Sequence, residues 1–272
     1  VLTFAFILIL LSNCSENQSI NENSASEDQA AEEIFNVGEK EILRKRYNDA
    51  AEKFTEVERL YPYSDWAKRA LIMQVYAYHK DQSYVNVVSA ASRFIEFHPN
   101  DKDVPYAYYL IGLSYYDRVL AIGRDQALAT KALKVFSLII EGYPDSEYAS
   151  NSQIRVDFLR DHLASKEMEV GRYYLKRSHY VPAINRFRAV IERFSTTSQV
   201  PEALHRLVES YLSLGLVNEA QTAGAILGYN YKSTDWYDRT FELLSNKGLQ
   251  PKSSGNSWLN QIYRQVVKGQ WL

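Results

Sequence analysis

From Glu33 onward the apolar residues recur every three or four positions, the period of amphipathic helices, and the helical segments close on repeated punctuation. Three end as Leu60-Tyr61-Pro62, Phe97-His98-Pro99 and Gly142-Tyr143-Pro144, and a fourth as Arg193-Phe194-Ser195. Proline cannot continue a helix, so each ending marks a boundary. Counting back from Pro62 meets Phe54, Ala50, Tyr47 and Gly38; the same offsets from Ser195 meet Phe187, Ala183, Tyr180 and Gly171. One pattern is used twice. A looser copy has helices near Ala67 to Lys80 and Tyr84 to Phe97. Another keeps Tyr108, Gly112, Ala132, Phe136 and Pro144 around an insert near Val119 to Asp125. Glu147 to Leu163 reads as a lengthened joining helix, and Leu204, Tyr211, Ala220 and Leu227 suggest a fifth copy.

These offsets resemble the tetratricopeptide repeat, two helices with small residues where they cross and an aromatic near the end of the second. Small side chains (Gly38 with Ala50, Gly171 with Ala183) let the helices approach, and Phe54 or Phe187 is expected to fill the space toward the next repeat. The resemblance implies an all-α, right-handed solenoid of about five repeats, with repeats 1–3 over residues 32–145 and a linking helix with repeats 4–5 over 146–245. A C-terminal extension with a short amphipathic helix follows over 246–272, with Trp258, Leu259, Ile262, Tyr263 and Val266 on one side. In this repeat class the first helices line a binding groove, which here places Phe35, Ile72, Tyr76, Tyr109, Leu113 and Tyr116 on it, beside His79 and Tyr106.

The N-terminus adds a different signal. Residues 1–13 carry an apolar run too short to span a bilayer and suited to a signal-peptide core, ending at Leu11-Ser12-Asn13-Cys14. Cys14 is the single cysteine of the chain, so it has no internal disulfide partner. The run resembles the bacterial lipobox, with Leu11 and Ser12 in place and Asn13 departing from the usual small residue, which makes Cys14 the expected lipidation (palmitate) site. Residues 14–31 read as a flexible acidic tether: Ser15 to Glu33 has six acidic residues and no Lys or Arg. Ser15, where Asp commonly marks inner-membrane retention, implies the outer membrane.

Composition narrows the chemistry. A net charge of -2 with no basic run argues against nucleic acid. Twenty-one tyrosines, apolar rings with polar tips, suit half-buried and binding positions. No G-x-S-x-G, H-E-x-x-H, Walker A or G-x-G-x-x-G motif is present, and the five histidines lack ligand spacing. The expectation is a non-enzyme with no cofactor, metal or catalytic residue.

A lipobox, an acidic tether and about five degenerate repeats, with the Tyr-Pro endings, Gly123-Arg124-Asp125-Gln126 and Asn185-Arg186, resemble the BamD family of outer-membrane β-barrel assembly lipoproteins. That resemblance implies a periplasm-facing, lipid-anchored scaffold on the outer membrane of a Gram-negative bacterium. Its N-terminal repeats would receive targeting segments of unfolded outer-membrane proteins. Its C-terminal repeats would dock on the periplasmic domains of BamA, with other assembly lipoproteins nearby. Arg186, Arg188 and Arg193 are the expected partner-binding residues. The alternatives are another periplasmic repeat adaptor, linked to cell division or peptidoglycan, and an envelope hydrolase on a helical scaffold.

Overall fold

The structure, a computed structural model, describes residues 16–253, 257–262 and 264, and these hold helices and turns with no strand. The expected lipidation site Cys14, the signal segment 1–13, Tyr263 and Val266 lie outside the described residues. In chain order the helices are the pair α1 (Glu16–Leu43) and α2 (Tyr47–Leu60), the pair α3 (Asp65–Lys80) and α4 (Tyr84–Phe97), α5 (Val104–Tyr116), α6 (Ala127–Gly142), the pair α7 (Glu147–Lys176) and α8 (Tyr180–Arg193), and the pair α9 (Val200–Ser213) and α10 (Val217–Asn230). Then come α11 (Asp235–Ser245) and α12 (Trp258–Ile262). The described residues form two compact units, one up to Asp117 together with Glu141–Tyr148, the other Arg118–Ile140 with the residues from Ala149 on. The first division of the chain falls between α5 and α6.

The turns carry the repeat more faithfully than the side chains do. Between the helices of a pair, the chain passes through a left-handed residue at Lys45, Gln82, Ser178 and Gly215, with φ of 60°, 60°, 60° and 74°. At each, the next amide donates back across the turn: Arg46 to Glu41, Ser83 to Tyr78, His179 to Tyr174 and Leu216 to Tyr211, at 2.9–3.0 Å. This closure satisfies carbonyls that a helix end leaves open. Between pairs, a second turn recurs five times: the amides of Ser64, Asp101, Ser146, Thr197 and Thr234 donate to the carbonyls of Tyr61, His98, Tyr143, Phe194 and Tyr231 at 3.0–3.1 Å. The final copy, after Tyr231, opens α11, which occupies the place of the first helix of a further repeat.

Three of the four left-handed residues are not glycine, and an L side chain there costs about 1–2 kcal/mol. Gln82→Gly, at an exposed position, is therefore expected to stabilise the first unit by about 0.5–1 kcal/mol after the unfolded-state entropy of glycine is discounted. Urea unfolding measures it.

Packing inside a pair is a trade of volume. A Cβ on Gly38 would lie 2.7 Å from Cε1 of Phe54, and one on Gly171 would lie 2.9 Å from Cδ1 and Cζ of Phe187, with Cε1 closer still. The aromatic thus lies on the glycine of its own repeat, where the sequence had suggested it reaches for the neighbour. In the second repeat the turn alignment puts Val75 and Ala91 at these two places, both fully buried. The large residue has changed helix, and the sum of volumes is kept.

The tether expected at residues 14–31 is helical from Glu16 on. Ala31 is fully buried and packs with Phe35, Ala50, Phe54 and Ala70. With no Gly or Pro between Ser15 and Asn36, the helix nucleated on this core propagates toward the N-terminus through a Ser-, Asn- and Glu-rich stretch.

Candidate functional site

In the first compact unit, α3, α5 and the first turn of α7 bring tyrosines together. Tyr109 and Tyr106 lie 5.1 and 5.4 Å, ring centre to ring centre, from Tyr148. Lys80 sits 5.5 Å over the ring of Tyr76. Ile72, Tyr76, Tyr109, Leu113 and Tyr116 are all half-buried. Burial pushes the Tyr106 hydroxyl well above the ordinary phenol range and, with Glu147 adding to it, Tyr148 up to about 12. Both remain protonated near neutrality and can donate hydrogen bonds. His79, on the same helix as Tyr76, has a buried Nδ1 with no hydrogen-bond partner among the described residues.

Phe35 does not belong to this surface. It is 5% exposed, with ring centres 5.2 Å from Phe54 and 4.9 Å from Trp66. The turn alignment explains the correction: Trp66, Tyr148 and Trp236 each stand two residues after the same turn and cover the preceding first helix, at Phe35, Tyr109 and His205 respectively. Beside Trp66, Phe35 keeps 5% of its surface exposed, whereas Tyr109 beside Tyr148 stays half-buried. Tyr148 was missed from the sequence, although Ser146-Glu147-Tyr148 repeats Ser64-Asp65-Trp66.

Burial holds the imidazole of His79 below its ordinary value, with Asp117 opposing. Below the ordinary imidazole pKa near 6.5 the unfolded chain takes up the proton first, so this contribution to stability is lost as pH falls from 7.5 toward 5. His79→Gln is expected to flatten that slope, read from urea midpoints across the range.

In the second compact unit, Arg186 and Arg193 on α8 share one carboxylate. Arg186 Nη1 lies 3.0 Å from Glu167 Oε2 and Arg193 Nη1 lies 4.0 Å from Oε1; the arginine side chains are 46% and 64% exposed, Glu167 17%. Two cations face one anion, leaving an excess positive charge at the surface. Arg188 does not join them. It pairs with Glu192 at 3.0 Å and lies 3.9 Å over the ring of Trp258. Two residues beyond Arg186 on a helix of 3.6 residues per turn is the opposite side, so this correction follows from helix geometry. Trp258 donates through Nε1 to Tyr211 at 3.0 Å, Ser257 bonds the Glu219 carboxylate, and Leu259 is 1% exposed. Arg188 thus holds the C-terminal segment down.

Among the described residues no group of three or more His, Cys, Asp or Glu could hold a metal ion, and no helix is long and apolar enough to cross a membrane. His205 donates from Nδ1 to Thr240, whose hydroxyl is spent on the Trp236 carbonyl, and so pins α9 to α11.

The family described as outer membrane lipoprotein, YfiO, matches residues 27–226. The outer membrane protein assembly factor BamD of Caulobacter vibrioides is 41% identical over 225 residues, 83% of this chain and 74% of that one. BamD of Rickettsia prowazekii is 38% identical over 213 residues, 78% and 85% of the two chains. The TPR2AB domain of yeast Sti1 is 13% identical with a TM-score of 0.40, covering 89% of this chain and 93% of that one. With two thirds or more of both chains covered at about two residues in five identical, and the family pattern running from α1 into α10, this chain is a member of the YfiO family of outer membrane lipoproteins, the family of BamD.

Proposed function

We propose that the chain is a non-catalytic scaffold of the outer-membrane β-barrel assembly complex, anchored by lipid on Cys14 at the periplasmic face of the outer membrane. The observation that carries this reading is the 41% identity to an outer membrane protein assembly factor over 83% of the chain. The tyrosine surface of α3, α5 and Tyr148 takes the targeting segment of an unfolded outer-membrane protein. Half-buried rings with donor hydroxyls offer an extended peptide both apolar contact and hydrogen bonds. Arg186 and Arg193, with their excess charge, receive the periplasmic domains of a BamA-like barrel protein, and other assembly lipoproteins complete the complex.

Depletion of the chain in cells tests the whole reading. Folded, heat-modifiable barrels in the outer membrane should fall together with loss of the protein; undiminished barrel assembly would overturn it. The tyrosine surface has its own test. Tyr109→Ala with Tyr116→Ala is expected to weaken a synthetic targeting peptide about 10-fold by fluorescence anisotropy while the thermal midpoint moves little, because both rings are half-exposed. Binding at wild-type strength would remove these rings from the site.

A further inference from the structure

Two neighbouring turns of the second compact unit leave aliphatic side chains in solvent. Val181 is 58% exposed, Leu214 40%, Leu216 46% and Val217 37%. The turns adjoin, because Ser178 in the first and Ser213 beside the second both hydrogen-bond the Tyr180 hydroxyl. Single exposed apolar residues are ordinary, whereas a group of them on adjoining turns calls for something to cover it.

The described part of the C-terminal segment leads toward this group. The Lys252 amide donates to the Gln221 carbonyl at 3.2 Å, and Gln221 Nε2 donates to the Gln250 carbonyl at 2.8 Å. Ser257 then bonds the Glu219 carboxylate, and Trp258 reaches Tyr211 and Arg188. Along α10 the segment has thus moved from Gln221 back to Glu219, toward the start of that helix. Tyr211 stands three residues before Leu214 and Glu219 two after Val217, so the anchors straddle the apolar turn. Arg188 and Val181, seven residues apart, share one side of α8 and lie about 10 Å apart along its axis.

We infer that Val181, Leu214, Leu216 and Val217 are the seat of this chain's own residues 265–272, which lie outside the described residues. That stretch, Gln-Val-Val-Lys-Gly-Gln-Trp-Leu, supplies Val266, Val267, Trp271 and Leu272 as apolar groups. It brings one cation, Lys268, and no anion to a turn flanked by the Glu219 carboxylate. Eight residues reach about 26 Å when extended and about 12 Å as a helix, so either form spans the distance from the anchors to both turns. A segment already tied down beside its seat loses little further freedom on closing over it, an advantage that a separate molecule lacks. Leu214 to Asn218 carries no cation, so an anionic bilayer is poorly matched to the turn.

Hydrogen–deuterium exchange of the full chain against a chain without residues 265–272 tests this. Removal is expected to speed exchange about 10-fold at the two turns, where the amides of Ser178, Gly215 and Leu216 are hydrogen-bonded. Val181→Asp with Leu216→Asp in the full chain should speed exchange at the same turns, and should add little once residues 265–272 are gone. Exchange unchanged by the removal overturns the inference. So does protection that appears only when the barrel protein's periplasmic domains or phosphatidylglycerol vesicles are added, which would give the seat to a partner or to the membrane. Should the shortened chain melt early, Trp271→Asp with Leu272→Asp carries the same comparison at full length, and wild-type exchange there counts equally against the inference.

Discussion

Gly171→Ala is expected to destabilise the second compact unit by about 1–3 kcal/mol, although alanine is the better helix former by about 1 kcal/mol. The new methyl would stand inside van der Waals contact of three ring atoms of Phe187. Phe187 is fully buried, so its ring has no free space to withdraw into. Phe187→Ala alone should cost about 3–5 kcal/mol by opening a cavity. Adding Gly171→Ala to it should cost less than the single change does, because the methyl then partly fills that cavity, and a double-mutant cycle by urea unfolding reads the coupling directly. Gly142→Ala, with nothing within 4 Å, is the control and should leave stability unchanged or raise it slightly. Additive costs at Gly171 and Phe187 would mean that the close approach is not what fixes the glycine.

Charge reversal at the shared carboxylate is the second large effect. Arg186→Glu with Arg193→Glu replaces the two cations beside Glu167 with carboxylates, so that three carboxylates meet there, and should weaken binding of the BamA-like partner by about 10- to 100-fold, mostly through slower, salt-dependent association. Stability should change by less than about 1 kcal/mol, since both arginines are largely solvated and surface pairs contribute little. Arg188→Gln should behave differently. It leaves the partner face intact and loosens the C-terminal segment by removing the cation over Trp258, which hydrogen exchange at residues 257–259 would report.

The repeat itself was legible because its constraints are steric and local: Gly38 with Phe54 and Gly171 with Phe187 can be read as letters at fixed offsets. The left-handed turns were not, since Lys45, Gln82 and Ser178 carry no glycine signature and the backbone closure that tolerates them is invisible in composition. Repeat two hid its core by the opposite choice of large and small, Val75 with Ala91, so a search for the aromatic failed where the summed volume was kept. Phe35, expected on the groove, is buried instead, because depth depends on whether the next repeat supplies a tryptophan or a tyrosine at the covering place. The arginines grouped by proximity in sequence were split by the helical turn, which the spacing of 186 and 188 already contained. The N-terminal segment reads as a tether from its Ser, Asn, Gln and Glu content and its acidic charge, but a helix nucleated on a packed core extends into it.

Affinity isolation of the tagged full chain from detergent-solubilised membranes tests membership in an outer-membrane assembly complex most directly. Stoichiometric recovery of a BamA-like barrel protein, lost in the Arg186→Glu, Arg193→Glu variant, is the predicted result. Recovery of cell-wall or division proteins in its place, with no barrel protein, would contradict the account and assign the same helical scaffold to a different envelope process.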